Sequence, residues 1–202
     1  MIEGINICKS FGEREIFHNF SFEIGDSDFV CFSGVSGKGK TTLLNMIGMI
    51  ESPTSGKIIV DGHEIRTYKD KLDYYRTKVG FVFQNFALVE GKTVKENLSL
   101  VRKKDRQSIS FDEALDKVGI RNKMHEKIYT LSGGEQQRVA LSRLFIKKCD
   151  IILADEPTGS LDSGNASIVV DILKALNEQG KTVVLVTHDS TLKGLCNRVI
   201  EL

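Results

Sequence analysis

Hydrophobic residues recur along this chain in two rhythms. Ile2-Glu3-Gly4-Ile5-Asn6-Ile7-Cys8 alternates apolar with other residues, and Ile16-Phe17-His18-Asn19-Phe20-Ser21-Phe22-Glu23-Ile24 does so again. Successive side chains of a strand face opposite ways, so this alternation predicts an edge strand with a second strand paired to it. Lys9-Ser10-Phe11-Gly12 is expected to turn the chain between them, and Gly25-Asp26 to turn it again. Short runs with little or no alternation follow at 29–32, 57–60, 79–83, 151–154 and 182–186, and 199–202 closes the chain. Unbroken apolar runs suit strands covered on both faces, as in a parallel sheet. Helical spacing predicts helices over 42–49, 72–76, 94–101, 111–118, 133–147 and 165–179. The last carries Ile168, Val169, Ile172, Leu173 and Leu176 as its apolar set and is stopped by Gly180.

The region from Asn85 to Lys148 lacks strand patterns and is rich in helix formers. Its third helix is read as the most amphipathic, with Val139, Leu141, Leu144, Phe145 and Ile146 as its apolar set. The expected architecture is therefore α/β in a single domain. Residues 1–84 and 150–202 form a core with a mostly parallel sheet and an N-terminal antiparallel β-subdomain, and residues 85–149 form an inserted α-helical lobe. A length of 202 residues accommodates this, and 41% hydrophobic with 27% charged residues is ordinary for a globular protein. A net charge of +1 offers no overall field toward nucleic acid or anionic lipid. The Arg102-Lys103-Lys104-Asp105-Arg106 run reads as a solvated loop. No apolar run approaches the ~20 residues that cross a bilayer, and Met1 to Asn6 does not read as a secretion signal. Cys8, Cys31, Cys149 and Cys196 are scattered without metal-ligand spacing and read as reduced thiols in a cytosolic chain.

Three stretches carry chemistry. Gly34-Val35-Ser36-Gly37-Lys38-Gly39-Lys40-Thr41 has the spacing G-x-x-x-x-G-K-[ST] between an apolar run and a helix that continues through Thr42. Glycines let backbone N–H groups wrap a phosphate, and the helix N-terminus adds its unpaired donors. Lys40 is expected on the β- and γ-phosphates and the Thr41 hydroxyl on Mg²⁺, so this P-loop binds a nucleoside triphosphate. Asp155 and Glu156 follow the apolar run 151–154, where the carboxyl end of a strand would aim them into the same crevice. The first is suited to hold Mg²⁺ and the second to take a proton from attacking water. In Leu131-Ser132-Gly133-Gly134-Glu135-Gln136-Gln137-Arg138, Ser132 and Glu135 form a capping box over a helix start stripped of side chains by Gly133 and Gly134. Two phosphate-binding helix ends in one small chain suggest two half-sites. Phe11 either stacks on an adenine ring or covers the core as a turn residue.

The string 131–138 resembles the signature of ATP-binding-cassette (ABC) transporter subunits, and the resemblance runs over essentially the whole chain. It implies a P-loop NTPase core whose Walker A loop is residues 34–42, with Lys38 where a small residue often stands, adding a cation near phosphate. It further implies that Phe11 is the adenine-stacking aromatic, Gln84 the Q-loop contact to Mg²⁺ and water, and Asp155 the Walker B aspartate. Glu156 becomes the catalytic base, Ser160-Leu161-Asp162 the D-loop and His188 the switch histidine facing the γ-phosphate. Two copies are then expected head-to-tail around two ATPs. Each ATP would lie on Lys40 and Thr41 of one copy and on Ser132, Gly133 and Gly134 of the other. The implied partner is an integral membrane permease docked near Gln84-Asn85-Phe86-Ala87-Leu88, which would make the chain cytoplasmic and peripheral on the inner face of the membrane. Ala154-Asp155-Glu156-Pro157-Thr158-Gly159-Ser160-Leu161-Asp162 and Thr187-His188-Asp189 resemble the branch containing lipoprotein-release, macrolide and peptide (bacteriocin) exporters and division-associated complexes. The alternative is an ATPase that moves a membrane protein mechanically, without cargo. Repair and translation members of the family are disfavoured by the short span between Gln84 and Ile151, the single cassette and the balanced charge, so no nucleic-acid partner is expected.

Overall fold

The computed structural model describes residues 1–202 except Arg66 and Ser160, and for Tyr68 the backbone alone. The elements run β1 (Ile2–Phe11), β2 (Arg14–Ile24), β3 (Phe29–Ser33), α1 (Lys40–Ile47), β4 (Ser55–Val60), β5 (His63–Glu64), α2 (Tyr68–Asp73), β6 (Val79–Val82), α3 (Val94–Ser99), α4 (Phe111–Asp116), α5 (Gly133–Ile146), β7 (Ile151–Asp155), α6 (Ser163–Glu178), β8 (Thr182–Val186), α7 (Ser190–Leu195) and β9 (Arg198–Glu201).

Two sheets result. The antiparallel one has the order β2-β1-β4-β5 and the parallel one β6-β7-β8-β3-β9. β1 is therefore not the edge its alternation suggested: it lies between β2 and β4. Nor do Lys9, Ser10 and Phe11 form a turn. They stay paired with β2 up to Phe11 opposite Arg14, leaving Gly12 and Glu13 to reverse the chain. The cross-strand hydrogen bonds available to Lys9 and Ser10 outweigh their turn preference.

The parallel strands divide two cores. Along β7, Ile152 and Ala154 enter a cluster with Val139, Leu141, Val169 and Leu173 from α5 and α6. Ile151 and Leu153 face the other way, toward Leu43, Met46 and Ile47 of α1 and the antiparallel sheet. β3 and β8 split in the same manner, which explains why each reads as an unbroken apolar run. The stretch expected as a helix over 72–76 becomes α2 followed by a π-helical turn at Tyr74–Lys78. Two further expectations fail. α5 buries Gln137 and Ser142 along with its apolar set, so it is enclosed on several sides rather than one. Ile168 of α6 is exposed while Val170 is buried.

This order sets β3, β8 and β7 side by side in one direction. The phosphate loop follows β3, Asp155 ends β7, and His188 comes two residues after β8. All three reach the same edge of the sheet because parallel strands share a carboxyl end.

Candidate functional site

The loop from Gly34 to Gly39 passes directly from β3 into α1. Gly39 caps the helix with φ 87 and ψ 13, a left-handed conformation. A Cβ there would stand 2.3 Å from Ile16 Cγ2 and 2.9 Å from Phe17 Cζ, so no larger residue fits. Lys40 is buried, and its Nζ folds back to donate to the carbonyls of Gly34 at 2.8 Å and Val35 at 3.1 Å. The ammonium is thus held inside the loop it serves.

Thr41 Oγ1 donates to Asp155 Oδ1 at 3.1 Å, joining the two sequence motifs across 114 residues. Burial pushes the Asp155 carboxyl above its ordinary range, and the neighbouring Glu156 charge adds to this. Gln84 is exposed at the end of β6 and lines an adjoining cleft of ≈ 560 Å³ with Thr41, Asn45 and Asp155. A hydroxyl, a carboxylate and an amide are hard oxygen donors. They fit Mg²⁺, which retains several waters and takes few protein ligands, and the charge at Asp155 is one that a cation would neutralise.

Glu156 has φ 44, unusual for a residue with a side chain, and its backbone N–H is tied to the Val186 carbonyl at 2.9 Å. This conformation accompanies a carboxylate turned across to His188. The His188 N–H lies 3.3 Å from Oε2 and its Nε2 lies 3.4 Å from Oε1. Thr158 Oγ1 donates to Asp189 Oδ2 at 3.0 Å, so the segments after β7 and β8 are fastened together.

A cleft of ≈ 430 Å³ gathers these groups, with Phe11, Arg14, Ser36, Lys40, Glu156 and His188 in its wall. Gly37, Gly39, Thr41 and Thr42 line it as well. Phe11 is 49% exposed, so it is not the core-covering turn residue of the alternative reading. Lys38 is exposed and its side chain stays out of this wall. The cation that joins Lys40 in the wall is Arg14, whose Nη2 donates to the Gly37 carbonyl at 3.0 Å. Sequence reasoning missed it. The signal was the two-residue turn Gly12-Glu13, which makes Arg14 the cross-strand partner of Phe11.

The third motif lies elsewhere. Ser132 caps α5, its hydroxyl accepting from the Glu135 N–H at 3.3 Å, while Glu135 Oε2 accepts from the Ser132 N–H at 2.8 Å. That backbone donor holds the Glu135 carboxyl below the usual range. Ser132 and Gly133 are exposed, and neither they nor Gly134 line the cleft that holds Lys40 and Glu156. Gly134 is buried against Asn165, whose side-chain atoms would meet a Cβ at 2.3 Å. Asn165 also accepts from Arg138 Nη1 at 2.5 Å and donates to Asp162 Oδ2 at 2.6 Å. Asp162 is therefore the N-cap of α6, adjoining the Ser132 helix and absent from the wall of the cleft. Ser160 of the same motif lies outside the described residues. One chain thus holds a phosphate loop and a bare helix start that do not meet.

Comparison with known proteins gives this arrangement its context. A family model described as "ABC transporter" matches residues 17–159. The chain is 42% identical over 204 residues to the macrolide export ATP-binding/permease protein MacB of Campylobacter jejuni, covering 98% of this chain and 32% of that protein. It thus spans about a third of the length of that relative. It is 39% identical to the ABC transporter ATP-binding protein YknY of Bacillus subtilis, over 99% of this chain and 92% of the other. A dimeric structure of MJ0796, a bacterial ABC transporter cassette, superposes with TM-score 0.90 at 37% identity, covering 100% of this chain and 94% of that one. A dimeric post-hydrolysis state of MJ0796 with ADP and Pi superposes at 0.87 and 35% identity. With its phosphate loop, paired acids and capped serine–glycine helix start matched across this length, the chain belongs to the ABC transporter family.

Proposed function

We propose that this chain is an ATP-binding and ATP-hydrolysing subunit that drives a membrane exporter, working as a head-to-tail dimer that encloses two ATPs. The observation that carries this reading is the separation of the two half-sites. The cleft of Lys40, Glu156 and His188 contains no part of Ser132, Gly133 or Gly134, yet both places are shaped for phosphate. A second copy supplies what the first lacks, and MJ0796, similar over the whole chain, is described as dimeric.

In this reading Phe11 stacks on the adenine, and the loop around Gly34, Ser36, Gly37, Lys38, Gly39, Lys40, Thr41 and Thr42 holds the phosphates, Lys38 through its backbone. Thr41, Asp155 and Gln84 would hold Mg²⁺, which when bound would supply charge neutralisation for the triphosphate. Glu156 accepts the proton of the attacking water, with its carboxylate kept in place by His188. Ser132, Gly133 and Gly134 of the second copy close over the terminal phosphate, with Asp162 beside them at the dimer contact. Residues 85–149 act as the lobe that carries this motif, and residues 1–84 and 150–202 act as the nucleotide-binding core.

No helix among the described residues is long and apolar enough to cross a membrane, so the permease is read as a separate protein or a separate segment. A groove of ≈ 420 Å³ beside the 84–88 segment is lined by Phe81, Phe83, Ala87, Leu100, Arg143 and Lys147, and it supports docking there. In this reading the chain sits on the cytoplasmic face of the membrane. Export of a macrolide-like cargo rests on the role of the MacB relatives, which are macrolide export proteins, and the peptide alternative rests on the resemblance of residues 154–162 and 187–189.

The test is the mass of Glu156→Gln in solution by light scattering. A dimer with saturating Mg-ATP and a monomer with ADP are expected, and adding Ser132→Arg should abolish the dimer. A monomer at saturating ATP would overturn the shared-site reading.

A further inference from the structure

Along β1 an aromatic and an ammonium have exchanged their ordinary places. Phe11 is 49% exposed, whereas Lys9, two residues earlier, is only 6% exposed. Lysine is rarely buried without a partner, and Lys9 has three. Its Nζ donates to Glu51 Oε1 at 2.7 Å and to the Ser52 carbonyl at 2.8 Å, and it stands 4.6 Å from the centroid of the Phe11 ring. Residues two apart on a strand share a face, so the contact follows directly from β1 continuing to Phe11. Glu51 and Ser52 come shortly after α1, the helix that begins at the phosphate loop. The ammonium thereby ties the ring to the far end of the phosphate-binding helix.

We infer that Lys9 is a positioning residue for the nucleotide base. It occupies one face of the Phe11 ring and fixes the ring's orientation, leaving the other face for a purine. Phenylalanine has no hydroxyl with which to anchor itself, so a ring this exposed takes its orientation from what lies beneath it. A cation under one face does that by attraction to the ring quadrupole. The inference rests on the reading of Phe11 as the base-stacking residue. It adds that the discrimination between ATP and a bare triphosphate chain depends on a charge that never touches the nucleotide.

A double-mutant cycle tests it. The affinities of Lys9→Met, Lys9→Arg, Phe11→Ala and Lys9→Met/Phe11→Ala for Mg-ATP and for Mg-tripolyphosphate are measured by calorimetry. A cation–ring contact at a half-exposed ring is worth on the order of 1 kcal/mol, so Lys9→Met should weaken ATP about fivefold. Tripolyphosphate affinity should not change, and Lys9→Arg should keep most of the ATP affinity. In the Phe11→Ala background the Lys9 substitution should add nothing. Equal losses for ATP and tripolyphosphate, or the same loss in both backgrounds, would assign Lys9 a structural role and overturn the inference. So would unchanged ATP affinity in Lys9→Met when Phe11→Ala weakens it. If Phe11→Ala itself leaves ATP binding unchanged, the stacking reading fails first. Should Lys9→Met not fold, Glu51→Gln replaces it, with the same requirement that only ATP be weakened.

Discussion

Gly39→Ala is the perturbation whose cost can be worked most fully from the structure. Two penalties fall on one atom. The backbone at φ 87 is left-handed, which costs a residue with a Cβ about 1–2 kcal/mol. The new Cβ would also lie 2.3 Å from Ile16 Cγ2 and 2.9 Å from Phe17 Cζ. Phe17 is buried, so the neighbours must shift, at about 1–3 kcal/mol for one excess methyl in a packed region. The total is roughly 2–5 kcal/mol. At about 2–4 °C per kcal/mol for a domain of this size, the thermal midpoint should fall by roughly 10 °C. Gly12→Ala separates the two penalties, because Gly12 has φ 59 with nothing within 4 Å of the added atom. It should lose only about 4 °C. Differential scanning calorimetry on both variants gives the comparison, and Ile16→Ala should restore part of the loss in Gly39→Ala but none in Gly12→Ala. Because Gly39 also aims the first turn of α1, Gly39→Ala should bind ATP at least about tenfold more weakly. Equal shifts for the two glycines would refute the claim that hairpin β1–β2 packs tightly against the phosphate loop.

Two further outcomes follow from the site. Lys40→Ala should leave the fold intact and weaken ATP by about 2–3 kcal/mol through lost charge-assisted bonds, read as a Kd by calorimetry; an unchanged Kd would remove Lys40 from the phosphate contact. Glu135→Gln should lower the thermal midpoint at pH 7, because the Ser132 backbone donor depresses the Glu135 pKa in the folded chain below its usual 4.5. A depressed acid contributes stability that is fully present above the unfolded value and lost as pH falls through the folded one. The gap between the two proteins should therefore be constant above about pH 4.5 and narrow progressively below it; a gap as large at pH 3 as at pH 7 would show that the carboxylate charge is not what the helix start uses.

Local pattern carried far in this chain. The phosphate loop, the acids at the end of β7 and the capping box at Ser132 are contiguous strings whose chemistry depends on near neighbours, and each stands where its spacing implied. The two-sided burial of β3, β7 and β8 was equally legible, because a strand covered on both faces has no polar phase. What escaped was decided between segments far apart in sequence. β1 became interior because β4 pairs with its free edge, a contact about fifty residues away that alternation cannot encode. Ile168 and Val170 exchanged roles because the packing of α6 on α5 selects which stripe is buried. Arg14 entered the cleft because the β1–β2 hairpin brings it against the Gly37 carbonyl, whereas Lys38, between two glycines of positive φ, stays exposed. The meeting of Thr41 with Asp155, and the failure of Ser132 to meet either, belong to the tertiary structure alone. Strand order sets which carboxyl ends are neighbours, and no residue's identity specifies strand order by itself.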